Sequence, residues 1–237
     1  MRLLRAFLTF SLGSLLMLVG YSAANAEVIP NSFINSKDPG WKLQKDENDI
    51  KVYFKEVEGS NVKAFMGKKV MSASVSSILK VMKDVNTCGE WIRGCIKAID
   101  LEGSTFEETY QYGINDLPWP ANDRDFVNQI ITSNNPETGD VTISLKAVEG
   151  RIPLSDNVRL KKMYIQYTLS PISENETSVT WVQHTEPGGN IPNWLVNMLL
   201  IDIPYYSLTR LEGMAKKPEY RSAQIIHDKD RYIRNVK

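Results

Sequence analysis

Few side chains in this sequence could do covalent chemistry. His184 and His227 are the only histidines, and His184, two residues before Glu186, forms the one histidine and carboxylate pair that could serve as base and orienting group. Neither a G-x-S-x-G elbow nor an H-E-x-x-H helix accompanies it, and a single strand histidine near a turn is more often structural than catalytic. Asp123-Arg124-Asp125 could hold a metal or a phosphate, but an arginine between two carboxylates also serves to lock the entry of a strand through charge-assisted hydrogen bonds. Cys88 and Cys95 are the only cysteines. On one helix they would stand about 10 Å apart, too far to bond. Gly89 and Gly94 instead bracket a loop that can fold back, so a disulfide and two inert buried thiols both stay open. Asn175-Glu176-Thr177 matches a glycosylation sequon, a short pattern that recurs by chance. The expectation is no catalytic residue, no metal site and no cofactor.

The apolar side chains are more informative. Trp91, Trp119, Trp181 and Trp194, with Tyr110, Tyr112, Tyr205 and Tyr206, supply more rings than a small sheet protein needs for its core. From Trp194 to Ile203 the chain is apolar nearly all the way round a helix, interrupted only by Asn197 and Asp202. Such a helix is buried on more than one side. Rings and helix together fit a pocket lined by hydrophobic groups with few polar anchors, among which Tyr110, Tyr112 and Gln183 are the candidates.

These residues have to be positioned by an antiparallel sheet and one long helix. Period-two runs at 41–57, 62–71, 96–101, 105–114, 125–133, 141–148, 160–169 and 177–185 read as strands, separated by Asn48-Asp49, Gly103, Asn115-Asp116, Asn134-Asn135-Pro136, Gly150 and Ser173-Glu174-Asn175. Ser74 or Ser76 caps a helix carrying Ile78, Leu79 and Met82, which ends before Gly89. A second helix starts at Pro192 and reaches about Lys217, with Pro204 expected to kink or break it. Consecutive strands followed by a long helix define an α+β protein with one covered sheet face.

The 237 residues suit one domain with a real core, and 28 basic against 28 acidic side chains give no field that would attract nucleic acid. Arg2 and Arg5, the apolar run from Ala6 to Val19 and the A-x-A site at Ala24-Asn25-Ala26 predict a signal peptide over 1–26, so the protein is expected to be periplasmic or secreted. A lead-in at 27–40, the folded domain at 41–217 and a polar, basic tail at 218–237 complete the chain. That tail is expected either to be solvated or to touch anionic lipid heads transiently.

Three stretches take the reading past fold class. "PWPANDRDFV" (Pro118–Val127) resembles the PWP...RDFV segment of START lipid-binding domains, and "PGGNIPNWLVNMLLIDIPYYSLTRL" (Pro187–Leu211) is similar to that family's entry into its C-terminal helix. "VEGRIPLSDNVRL" (Val148–Leu160) matches its loop between two central strands. The resemblance implies a helix-grip fold, a curved sheet wrapped around the long C-terminal helix with an internal tunnel for one lipid, in a protein that is not an enzyme and is monomeric. It implies lid residues Ile152, Pro153 and Leu154, and tunnel or lid residues Trp194, Leu195, Met198 and Leu199, with Trp91, Trp181 and Gln183 added from the strands and helix. Arg124 and Asp125 are implied to be structural. Ile130 stands where some sterol-binding members carry a tunnel arginine, which weakens a sterol reading and points to a mostly apolar tunnel. Cyclases and aromatases of the wider superfamily supply the enzyme alternative, for which His184 and Glu186 are the only nominees. A partner-binding protein with a filled interior is the third.

Overall fold

The computed structural model describes residues 36–237. The expected signal peptide and residues 27–35 of the lead-in lie outside the described residues.

Asn48 and Asp49 both take positive φ (51° and 60°), the backbone of a two-residue hairpin turn, and join β1 (Lys42–Glu47) to β2 (Ile50–Lys55). β3 (Ala64–Met71) follows, then α1 (Val75–Lys83), whose first turn is capped by Ser74 Oγ accepting from the Ser77 amide at 3.1 Å. A 3₁₀ turn at Val85–Thr87 leads into the one-turn α2 (Cys88–Trp91). The chain folds back at Gly94, and Cys88 and Cys95 form a disulfide with Cα atoms 5.8 Å apart.

Then come β4 (Cys95–Asp100), β5 (Glu108–Asn115), β6 (Arg124–Asn134), β7 (Val141–Ala147), the short β8 (Val158–Arg159), β9 (Lys162–Ser173) and β10 (Glu176–Glu186). Among the described residues the main sheet runs β1-β2-β3-β10-β9-β7-β6-β5-β4, with neighbours antiparallel, while β8 pairs in parallel with the start of β6. This is the expected α+β class, and the curved sheet grips α3 (Asn193–Ala215) on one face.

The two halves of α3 behave differently. Leu208, Leu211, Met214 and Ala215 are buried in the main core, whereas Val196, Leu199, Leu200 and Ile203 are only half-buried. Between them lies Pro204. A kink or a break was expected there; the helix is not broken and runs through Pro204, which is held by tertiary packing. The packing is against Gly67 of β3: a Cβ built there would stand 2.9 Å from Pro204 Cβ and 3.0 Å from Leu208 Cδ1. Only a residue without a side chain lets helix and strand approach this closely.

The segment after 217 also differs from its expectation as a solvated tail. It forms α4 (Pro218–Arg221) and a hairpin of β11 (Ile225–His227) and β12 (Ile233–Val236), and it buries Tyr220, Ile233 and Val236 in the main core. Tyr220 donates its hydroxyl to Asp84 at 2.8 Å. Lys216, Lys217 and Arg234 are paired with Glu212, Glu90 and both Asp228 and Glu107, so much of the apparent basic excess is answered within the fold.

Replacing a strand glycine by a β-branched residue ordinarily favours the strand. Gly67→Val is expected to do the reverse, lowering stability by about 1–3 kcal/mol through overpacking against Pro204 and Leu208, as read from the denaturant midpoint. An unchanged or raised midpoint would show that the contact does not seat the helix.

Candidate functional site

The half-buried flank of α3 stands off from the sheet, and the gap is a channel. Its first compartment, about 100 Å³, lies between Val196, Leu199, Leu200 and Ile203 of the helix and Phe65 and Met163 of the sheet, with Leu160 of the β8–β9 link. A second compartment of about 100 Å³ shares Asn115, Met163, Gln183 and Ile203 with the first and adds Trp91, Asn128, Tyr167 and Trp181. A third, about 80 Å³, shares Met82, Trp91, Ile92, Gln111, Leu145 and Tyr167 with the second and reaches Lys83, Asp100 and Thr109 at the β4 edge. The wall is largely aromatic in the middle. Trp181 stacks on Tyr167 at 4.9 Å and meets Phe65 edge-on at 5.1 Å, while Trp91 faces Tyr167 at 6.5 Å.

The entrance is an open polar vestibule lined by Ser60, Asn61, Lys63, Lys162, Glu186 and Asn193, which meets the first compartment at Val62, Pro187, Ile191, Val196 and Leu200. Gly188 and Gly189 both take φ of +61° there, so the chain turns onto α3 in a conformation that side chains disfavour. Arg124 holds this turn. Its Nε donates to Pro187 O at 2.9 Å and its Nη2 to Gly188 O at 2.8 Å, and Nη1 donates to Asn122 O. Burial pushes the Arg124 guanidinium below its ordinary pKa, while the charge of Asp123 opposes the shift.

Asp125, next in the strand, faces the other side of the sheet. It accepts from Arg159 Nε at 2.8 Å and Nη2 at 2.9 Å, from Ser155 Oγ at 2.8 Å and from Tyr112 OH at 3.2 Å. The Arg159 hydrogen bonds, opposed by burial and helped by Ser155 and Tyr112, hold its carboxyl below the usual carboxylate range. Arg159 also donates to Ile152 O and Pro153 O, which fastens the 148–157 loop to this outer face.

The expected site residues therefore separate into two groups. Trp91, Ile130, Trp181, Gln183 and Leu199 line the channel. Tyr110 and Tyr112 do not, because Thr109 and Gln111 take the inward phase of β5; Tyr110 instead bonds Glu108 at 2.6 Å and lies under Arg151. Ile152, Pro153 and Leu154 were expected to close the tunnel, but β8 pairing draws their loop along the outer side of β6 and none lines the channel. On α3, Leu195 is buried away from the lining, Met198 is half-buried off it, and Trp194 is exposed. His184 alternates with the inward Gln183 and Thr185, and so faces the opposite side, with Nε2 3.1 Å from Ser60 Oγ. Burial lowers its pKa, with Glu186 opposing. Among the described residues no cluster of three or more His, Cys, Asp or Glu could hold a metal.

Absent from the expected set were the polar residues of the wall, Lys83, Asp100, Thr109, Gln111, Asn115 and Asn128. Polar side chains within strands read as solvent-facing, so alternation carried no signal for them.

A curved sheet that grips a long C-terminal helix around a partly open interior defines the helix-grip fold. The chain belongs to the START family, whose START domain model matches residues 23–203. It is 36% identical over 186 residues to an uncharacterized protein of Pseudomonas aeruginosa, covering 77% of this chain and 90% of that one. The crystal structure of a STAR-related lipid transfer protein fragment from Xanthomonas axonopodis is 33% identical, with a TM-score of 0.69 over 75% of this chain and 99% of that one. Human StAR-related lipid transfer protein 5, at 15% identity, shares the fold with the same TM-score of 0.69 over 78% and 91% of the two chains.

Removing the Asp125 carboxylate leaves Arg159 charged and unpaired. Asp125→Ala is expected to cost about 3–5 kcal/mol in chemical unfolding. Because the folded pKa of Asp125 is depressed, its contribution is present above the unfolded carboxylate value of about 4 and is lost as pH falls further; the variant should lose less stability than the native chain over that range.

Proposed function

We propose that the protein binds one long-chain lipid in this channel and carries it, without chemical change, through the aqueous space outside the inner membrane. The observation that carries the reading is the run of three adjoining compartments, which share wall residues from Ile203 to Trp91 and Tyr167, with an open polar hollow beside the first. Removing about 400 Å² of hydrocarbon from water contributes about 10 kcal/mol at about 25 cal/mol per Å², before association costs. The narrow bore favours an extended chain over a fused ring system, in keeping with Ile130 in the third compartment. The START relatives, one of them named a lipid transfer protein, support the same ligand class. The signal-like segment at 1–26 supports export.

Loading takes place at a bilayer. Trp119, Leu154 and Trp194 are 89%, 76% and 60% exposed. Arg124 joins the segments of Trp119 and Trp194, 116–123 through Asn122 O and 187–194 through Pro187 O and Gly188 O, while Leu154 is on the loop that ends where the Val158 amide donates to Asp123 O. Leu117 and Ile191 line the first compartment, so Trp119 and Trp194, on the same two segments, flank the channel near its entrance. Rings with an apolar body suit the interfacial zone of a membrane. The partner surface is thus this rim, in place of the basic tail.

Two measurements test the proposal. Organic extraction of the purified protein followed by mass spectrometry should recover about one lipid per chain, and Ile203→Trp, which fills the junction of the first two compartments, should abolish uptake of a fluorescent fatty-acyl probe while leaving the protein folded. Recovery of no lipid together with no uptake would contradict the reading. Trp119→Ala combined with Trp194→Ala should slow vesicle-to-vesicle transfer at least fivefold with equilibrium affinity unchanged; an unaltered rate would remove the rim from the account.

A further inference from the structure

The 88–95 loop carries one wall of the channel and is closed on itself by a covalent bond. Cys88 and Cys95, seven positions apart, both line the second compartment beside Trp91 and Ile92. Bridging so short a loop restricts the unfolded chain less than a long-range bridge does, so the bond acts mainly where it stands. What it fixes there is α2, a single turn of four residues that is too short to persist unaided. Trp91, at the end of that turn, is 4% exposed, faces Tyr167, and lines both the second and the third compartments. Arg93, in the same loop, reaches α3 on both sides of Pro204: its amide donates to Ser207 Oγ at 3.0 Å, its Nη2 stands 3.3 Å from Asp202 Oδ2, and its guanidinium lies over the Tyr206 ring. A further tie, Glu90 to Lys217 at 2.7 Å, is an exposed ion pair and contributes little. Disulfide, channel wall and helix are thus one connected piece.

Resting on the lipid-carrier reading above, we infer that the Cys88–Cys95 disulfide is a thiol-exchange site that controls the channel: the oxidised protein holds its lipid, and a protein dithiol reductant, by opening the bond, lets the lipid go. In the exchange a thiolate of the reductant attacks one sulfur, the other sulfur leaves as a thiolate and takes a proton, and the second thiol of the reductant then displaces the first. Cys88 and Cys95 end as thiols, the reductant ends as a disulfide, and two electrons and two protons have passed to this chain. Cys95 opens the edge strand β4 and is half-buried, while Cys88 is 7% exposed, so the attack falls on Cys95 and Cys88 leaves. Once the bond is open, α2 keeps only its noncovalent ties. Trp91 is then no longer held against Tyr167 by a closed loop, and both the wall and the Arg93 contact to α3 loosen. A lipid in the second compartment lies against the loop from the inside, so occupancy and oxidation support each other. That coupling is reciprocal by necessity: whatever factor reduction takes from lipid affinity, bound lipid adds to the stability of the disulfide.

The test uses the full chain, purified oxidised and then delipidated, with anthroyloxy-stearate as the fluorescent probe. Dithiothreitol should weaken probe binding about tenfold, within the usual range of coupling between two sites, and reoxidation should restore it. In a dithiothreitol redox buffer, saturating probe should shift the oxidised-to-reduced ratio by the same factor, counted by mass spectrometry after alkylation of free thiols. Cys88→Ser combined with Cys95→Ser should bind like the reduced chain and ignore dithiothreitol. Trp91→Ala keeps the disulfide and should weaken binding about tenfold while making it insensitive to reduction; it decides the matter if the double serine variant does not fold. Equal probe affinity in the oxidised and reduced protein, or a reduced protein that is unfolded by circular dichroism, would overturn the redox control while leaving the carrier reading intact. Absence of binding in both forms would overturn the two together.

Discussion

A single helix cannot fill the concave face of a nine-strand path, and the position of α3 decides which part stays open. Gly67 admits Pro204 and Leu208 at van der Waals distance, so the middle of the helix is seated on β3. Beyond that point Leu208, Leu211 and Met214 are packed into the main core together with residues of α1, α4 and β12. Before it the helix is held at its entry by the segment that Arg124 binds, and Val196, Leu199, Leu200 and Ile203 are left facing a gap. The channel is thus a consequence of where the helix can touch the sheet. Its helix side is apolar because the same side chains would otherwise have been core.

The start of β6 organises the surroundings of that gap from both sides. Arg124 and Asp125 are consecutive and so project to opposite faces. The first gathers Asn122, Pro187 and Gly188 around the channel entrance; the second gathers Tyr112, Ser155 and Arg159 on the outside. Arg124 thus ties the segments at the entrance together, and the exposed rings of Trp119 and Trp194 are carried on those segments. In the proposed cycle a bilayer meets these segments, and the chain of the lipid passes between Val62 and Leu200 into the aromatic middle section.

Much of this was legible in the residues. Asn48-Asp49 marks its hairpin, Ser74 its helix cap, and the apolar run from Trp194 to Ile203 its helix, although of that run only Leu195 is buried and Trp194 is exposed. The START-like segments then supplied the enclosure, which periodicity alone does not distinguish from a filled core. Strand phase was harder. β5 carries Tyr110 and Tyr112 outward and Thr109 and Gln111 inward, the reverse of what hydrophobicity suggests, because the 148–157 loop half-buries the outer face and the channel tolerates polar groups on the inner one. Residues 152–154 stay off the channel lining for a related reason. The parallel pairing of β8 with β6 is a long-range contact that no local pattern encodes. Pro204 shows the same limit: a helix breaker by propensity is held in the helix by a glycine far away in sequence. At the C-terminus, Tyr220, Ile233 and Val236 are too few and too scattered among charges to announce the hairpin that buries them.

The central claim is that the space between α3 and the sheet is occupied by a lipid in the working protein. A crystal structure of protein purified without delipidation tests it most directly. The account predicts continuous elongated density from Leu199 and Leu200, past Trp181 and Tyr167, toward Leu145 and Ile130. A closed interior, with the α3 side chains packed onto Phe65 and Met163 and no such density, would contradict it.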